Sequence, residues 1–353
     1  MNANLQETLK LIADNLKYRK DYGQLYAGAN SLIKCYERSN DHRIHGQADT
    51  LGANSHRFTH QNPNVTQIPR DENFRRLISC PSDKLFVDID ADQLELVMLG
   101  HYLGPYDDYA YADIVEHGDK SKGTDIHTVN QKLVGLPNRD AAKKFIYATL
   151  YGAGNTKIGF MLYNGEDFEY TPQEEAYAKE YIQKRTVIIN GKHLFPISKT
   201  TCIPINDKLI KATIYRRQKA SLFRDGTKGY NELVEDLANQ VANKHLIALD
   251  GRRLYCNSAH KALNLALQSA GAIFMKYLLI NIDAKLRVNH KYKDDFAFIL
   301  NIHDAISLEI NPEIKDSVAE ILTSSFLETS QQLGFKYPVH GNPKFGKNQW
   351  ETH

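Results

Sequence analysis

The chain has 353 residues, 24% charged and 42% hydrophobic, which leaves room for two or three subdomains with a sizeable core and excludes a disordered protein. A formal net charge of only +2 excludes a polyanion binder that works by bulk charge, so any such surface must come from local clustering. Cys35, Cys80, Cys202 and Cys256 show no CxxC spacing, so neither a zinc site nor a disulfide framework is suggested and idle thiols in a reducing, cytoplasmic setting are expected. The polar N-terminus MNANLQETLK does not read as a signal peptide, and no run of about 18 apolar residues predicts a membrane span.

Residues 1 to about 45 read as helical, with Leu5, Leu9, Ile12 and Leu16 at helical spacing, a second helix around Leu25 to Tyr36, and a polar stop at SNDHRIHG. The following stretch, ADTLGANSHRFTHQNPNVTQIP, is rich in Gly, Asn and Pro and predicts irregular chain or short strands around Arg57. KLFVDID then alternates: Leu85, Val87 and Ile89 on one face, Phe86, Asp88 and Asp90 on the other. That is a strand ending in acids, and DQLELVMLGHYLG turns helical after it. Carboxylates at the end of a core strand are costly unless they meet a positive charge, and a hard divalent cation supplies one. In GTDIHTVNQKLVGLP, Thr124 or Asp125 can cap a helix that carries His127.

RDAAKKFIYATLYGAG, residues 139–154, is the most informative stretch. Arg139, Lys143, Tyr147 and Tyr151 stand four apart and form a slowly winding stripe about 18 Å long on a helix. Ala141, Ala142, Phe145 and Ala148 make the expected packing face. Cations followed by flat aromatics suit a polyanion attached to a base, such as a nucleoside triphosphate. Residues 160–245 hold two polar helices, TPQEEAYAKEYIQKR and GYNELVEDLANQVANKHLIAL. Between them runs the basic FPISKTTCIPINDKLIKATIYRRQKASLF, rich in β-formers. There Lys208, Lys211, Arg216, Arg217 and Lys219 form either a solvated face or a contact to nucleic-acid phosphate. The long helix after Ser258, a good N-cap, buries Leu263, Leu267, Ala270, Phe274 and Leu278 and presents Asn264 and Gln268 on another face. FAFILNIHDAISLEI reads as a hairpin with His303-Asp304 at its tip, and an amphipathic helix from PEIKDSV follows.

Four of these segments, in this order, resemble family A DNA polymerases of the phage type. They are Gly-x4-Arg-x-Thr-His-x2-Pro-Asn-x2-Gln-Ile-Pro at 52–69, VDIDADQLELVMLGHYL at 87–103, Arg-x3-Lys-x7-Tyr-Gly at 139–152, and SAHKALNLALQSAGA at 258–272. The hairpin tip resembles the third catalytic motif, with His-Asp-Ala where the family carries His-Asp-Glu. The likeness covers roughly residues 42–353 and implies an α+β right-hand polymerase fold: a palm built on an antiparallel sheet with packed helices, a mostly helical fingers subdomain and a partial thumb. The expected division is a thumb remnant at 1–45, palm at 46–105, fingers at 106–257 with an insertion around 170–222, and palm again at 258–353.

By the same resemblance Asp90, Ala91 (through its carbonyl) and Asp304 hold two Mg2+ ions, with Mn2+ a possible substitute. Asp88 and Asp92 fall where the family has no ligand. Glu95 matches the steric gate that favours deoxynucleotides. His127, Arg139 and Lys143 meet the triphosphate, with Lys143 the proton donor to the leaving group. Tyr147 stacks on base and sugar, and Tyr151 lies near the templating base. Arg57 reaches the minor groove of primer-template DNA, and Asn264, Gln268 and His303 also contact that duplex. The expected activity is template-directed addition of deoxynucleoside triphosphates to a primer. The chain is expected to be the polymerase half of a split phage enzyme in the bacterial host cytoplasm, with exonuclease and thumb on a second polypeptide. Two alternatives stand beside it: a catalytically weakened DNA-binding subunit, suggested by Ala305, and a single-subunit RNA polymerase, against which Glu95 argues.

Overall fold

The strand Leu85–Asp90 lies inside a four-stranded antiparallel sheet, between Lys344–Gly346 and Ala305–Ile310, with Phe296–Ile302 on the far edge. The structure is a computed structural model that describes residues 3–152, 155–197 and 202–352. Ala153 and Gly154 of the stretch singled out above, residues 198–201 of the basic segment, and the side chains of Leu5 and Leu9 lie outside the described residues. The chain divides into two compact units, Met1–Leu94 with Gln268–His353, and Glu95–Leu267.

In the first unit the expected alternation along Leu85–Asp90 does not survive. Phe86, Val87 and Ile89 are all fully buried and Asp88 is 4% exposed, because a central strand is covered on both faces. Ala305–Ile310 is its antiparallel neighbour and forms the expected hairpin with Phe296–Ile302. The long helix Ala259–Asn289 buries Leu267, Ala270, Phe274 and Leu278 as predicted, while Leu263 is only half-buried. Phe274 meets Phe326 of the helix Lys315–Gln332 at 6.1 Å between ring centroids. By length and composition this long helix reaches membrane-span apolarity, with mean hydropathy 1.4 over 18 residues, though polar residues interrupt it and it holds no continuous run of 18 apolar residues. Since 61% of that window is buried inside the protein, its apolar character is accounted for by packing.

Short strands Gln47–Asp49 and Thr59–Gln61 pair in the Gly/Asn-rich stretch. Lys276 of the long helix donates to the carbonyls of Thr50 and His56, both at 2.6 Å, which ties down the loop before Arg57. The N-terminal helix Ala3–Tyr22 leaves Leu11, Ile12 and Leu16 between 51% and 64% exposed.

The second unit is mainly helical. The basic segment, although rich in β-formers, is over most of its length a 20-residue helix, Asp207–Gly226. Asn206 caps it, accepting from the Leu209 N–H at 3.0 Å. Among the described residues Val187–Ile189, Lys192–Pro196 and Cys202–Pro204 form a small antiparallel sheet, and His245–Ile247 pairs with Arg253–Tyr255. Helix Asn155–Leu162 packs closely on Asp207–Gly226, and a Cβ at Gly159 would fall 2.1 Å from the Ala212 carbonyl oxygen, so only glycine fits.

Candidate functional site

In the sheet unit, strand register places the acids. Ala305 pairs with Asp90, Ile306 with Ile89 and Ser307 with Asp88. The Ala91 N–H donates to the Asp304 carbonyl at 2.9 Å, so main chain bonds the hairpin tip to the end of the neighbouring strand. His303 at that tip has φ +57° and is exposed. Gly341 closes the site from another side: a Cβ there would lie 2.8 Å from the Asp90 carbonyl oxygen.

The two acids separated by more than two hundred residues in sequence therefore stand on adjacent strand ends. Part of Asp90 remains open to solvent, yet its carboxyl is pushed up to about 7, first by desolvation and then by the like charges of Asp304, Asp88 and Asp92. Asp88 is buried and also raised by desolvation, against which the Ser307 hydroxyl donates a hydrogen bond at 2.8 Å. Asp92 is exposed.

This is a site short of positive charge. Two carboxylates and a main-chain carbonyl are hard oxygen donors, and a small divalent ion is commonly held by one or two carboxylates, with waters and substrate phosphates completing its shell. The donor set fits such an ion. Among the described residues no group of three or more His, Cys, Asp or Glu side chains is placed to hold a metal, and Ala305 pairs in register with Asp90.

In the helical unit, Arg139–Leu150 carries the cationic stripe, capped by Asn138, which accepts from the Ala141 N–H at 2.8 Å. Its packing face is Ala142, Phe145, Ile146 and Leu150; Ala141 and Ala148, predicted on that face, are only half-buried. Asp125 is the cap of helix Ile126–Val134, and it also receives two N–H groups of Arg139, each at 2.9 Å. Burial opposes charge on Asp125, but the bonds from Arg139 and Thr128 prevail and hold its carboxyl below the usual range. Lys143 is exposed and makes no ion pair with any described residue.

His127 is 3% exposed, its ring 6.0 Å from that of Tyr147, and its Nδ1 has no hydrogen-bond partner among the described residues. Burial, then the charges of Arg139 and Lys143, lower its pKa to about 4, so the imidazole is neutral at pH 7 and offers one N–H rather than a cation. Tyr147 and Tyr151 stack at 6.3 Å and 22°. The Tyr151 hydroxyl is hydrogen-bonded to the buried carboxylate of Glu95.

Asn264 donates to the Leu150 carbonyl at 2.8 Å, so one of the two amides expected to contact duplex DNA is joined to the end of the cationic helix. Gln268 and Arg57 are half-buried. The cations of Asp207–Gly226 are largely engaged within the protein. Lys211 pairs with Asp167 and Asp207, Arg217 lies 3.7 Å above Tyr177, Lys219 donates to the Gly135 carbonyl, and Arg216 is buried. Lys208 alone of the five is exposed with no ion pair or ring contact among the described residues.

Sequence reasoning missed the Asp125–Arg139 pair, the Ser307–Asp88 bond and the burial of Arg216 against Thr149, which is neither a solvated face nor open to a phosphate. The first had a signal, since Asp125 was visible as a cap. The other two join residues remote in sequence and had none.

The chain is similar to known proteins over nearly all its length. A family model described as DNA polymerase family A matches residues 2–352. A DNA-directed DNA polymerase of Enterobacteria phage T3 is 29% identical over 99% of this chain and 46% of its own length. Its counterpart from Escherichia phage T7 is 28% identical over 97% of this chain, again 46% of the relative. The chain thus spans about half the length of these relatives. Among solved structures, the polymerase domain of Pol1 from M. smegmatis, in complex with DNA primer-template and dNTP, has the same fold: TM-score 0.64, 17% identity, 94% of this chain and 52% of that one.

Proposed function

The chain belongs to DNA polymerase family A, and from that premise we propose that it adds deoxynucleotides to a primer 3′ end under direction of a template strand. The observation that carries this reading is the placement of Asp90 and Asp304 on bonded neighbouring strand ends in a site deficient in positive charge. Asp90, Asp304 and the Ala91 carbonyl would hold divalent metal, Mg2+ or Mn2+ in its place. When bound, two such ions acidify a hydroxyl nucleophile and neutralise charge on the departing pyrophosphate.

The remaining work falls to the chain's own groups. Arg139, oriented by Asp125, and the exposed Lys143 bind the β- and γ-phosphates, and Lys143 gives a proton to the pyrophosphate oxygen. Neutral His127 donates one N–H toward the triphosphate. Tyr147 stacks on the base and sugar of the incoming nucleotide. Glu95, held by Tyr151, occupies the space a 2′-hydroxyl would need, while Tyr151 lies beside the templating base. Arg57, Asn264, Gln268 and His303 contact the primer-template.

Primer extension with the purified chain, a primed template and each divalent metal tests this reading. Extension that requires metal and disappears in Asp90→Ala supports it; equal extension by the variant would sink it. A second reading, a DNA-binding subunit with weakened catalysis, is favoured by one observation, Ala305 in register with Asp90. Tight primer-template binding without extension would select it. We further propose a second polypeptide carrying exonuclease and thumb. The exposed Leu11, Ile12 and Leu16 of the N-terminal helix support this, because they offer a partner an apolar surface.

A further inference from the structure

Arg216 is 3% exposed, yet its guanidinium has a single hydrogen-bonded partner among the described residues. Its Nη2 donates to Thr149 Oγ1 at 3.0 Å, while Nε and Nη1 have no acceptor. The guanidinium carbon sits 4.8 Å from the centroid of the Phe145 ring. Thr149 in turn donates to the Phe145 carbonyl at 2.7 Å. A buried cation with two unmet donors is a poor way to stabilise a fold, since an apolar side chain of the same volume usually does as well or better. Burial has pulled the Arg216 pKa down to about 10. What the cation does have is position: it bonds Thr149 in the last turn of Arg139–Leu150, where the helix dipole favours positive charge.

That turn leads directly to the sugar-facing pair. Tyr151 is the residue that caps the helix, its N–H reaching the carbonyls of Tyr147 and Thr149. Its hydroxyl is bonded to Glu95. From Arg216 the contacts therefore run through Thr149 and the capping turn to Tyr151 and Glu95. We propose that Arg216 is a positioning residue for sugar selectivity: by fixing the final turn of the cationic helix it keeps Tyr151, and through it Glu95, in the arrangement that rejects a ribonucleotide. This rests on the reading of Glu95 as the group facing the sugar.

The experiment compares the wild-type chain with Arg216→Met, Arg216→Lys, Thr149→Val and Glu95→Ala. Three readouts are taken: thermal melting, amide exchange at Leu150 and Tyr151, and single-nucleotide insertion with a dNTP and the matching rNTP. Arg216→Met is expected to melt at or above the wild-type temperature, to exchange faster at Leu150 and Tyr151, and to raise the rNTP-to-dNTP ratio of kcat/KM about tenfold, as loss of one charged hydrogen bond allows. Thr149→Val, which removes the acceptor for Arg216 together with the hydroxyl's own bond to the Phe145 carbonyl, reproduces the change, and Arg216→Lys recovers part of the selectivity. A fall in melting temperature with exchange and selectivity unchanged overturns the proposal and makes Arg216 a merely structural group. Exchange does not depend on catalysis, so a change there stands even if the chain needs a partner for synthesis. If Glu95→Ala leaves the ratio unchanged, the sugar-gate reading has failed; if it relaxes the ratio and Arg216→Met does not, this proposal has.

Discussion

In the sheet unit Asp90 and Asp304 are placed by main chain: strand pairing and the Ala91 N–H to Asp304 carbonyl bond set where the acids stand. In the helical unit Arg139, Tyr147 and Tyr151 are placed by side chains that arrive from other elements: Asp125 at one end of the helix, Arg216 and Asn264 at the other. The first arrangement is set by backbone register, which does not depend on the identity of the functional side chains it carries. The second is as exact as each tie that anchors it, so its function and its geometry fail together.

That contrast can be broken most directly at the acids. Asp304→Asn removes a like charge from beside a desolvated Asp90. It is expected to melt no lower than wild type while primer extension falls on the order of 10³-fold, the scale of several kcal/mol of lost charge stabilisation. Melting well below wild type would show the acid to be structural. Lys143→Ala tests the exposed member of the stripe. Synthesis is expected to drop about 10²-fold with melting unchanged, since a proton donor contributes that much and the side chain is exposed.

Asp125→Ala then tests the tied side. It removes a helix cap and the partner of Arg139 at once. Unfolding free energy measured by denaturant titration should fall by about 1 kcal/mol, and KM for the nucleotide should rise; a rise in KM with no loss of stability would separate the two roles. Last comes a slope with pH. The folded pKa of His127, about 4, lies below its ordinary 6.5, so between those values the unfolded chain binds more protons. This contribution to stability is fully present above pH 6.5 and is lost as pH falls toward 4. His127→Asn should flatten that part of the stability profile; an unchanged slope would place the titration elsewhere.

Period and end signals made the core elements legible. The hairpin 296–310, the helix from 139 and the long helix from 259 all follow from alternation or helical spacing. Burial was less legible. Phe86 and Asp88 seemed to share a face away from the core, but period two cannot tell a strand covered on one side from one covered on both. The Asp207–Gly226 helix was hidden by its β-branched and aromatic run, Thr213 to Tyr215, while Asn206, a good cap, was the signal that outweighed it. At the candidate site the stripe was readable from its four-residue spacing, and the acids from their places at the end of an alternating run and at a hairpin tip. The ties of Arg216, Asn264 and Ser307 were not, because each depends on a tertiary contact that no local pattern encodes.

The pairing of Phe296–Ile302 with Ala305–Ile310 slips by one residue at Ser307 and Leu308, whereas Ala305–Ile310 meets Leu85–Asp90 without interruption. Insertions are therefore tolerated unequally. The outer strand already accommodates an extra residue as a bulge and can drift in length without disturbing the acids. One residue added within 306–310 would instead turn the inner strand over, sending Ile306 and Leu308 toward the opposite face and carrying Asp304 out of step with Asp90. The hairpin's inner strand is thus where this lineage can change its letters but not its count.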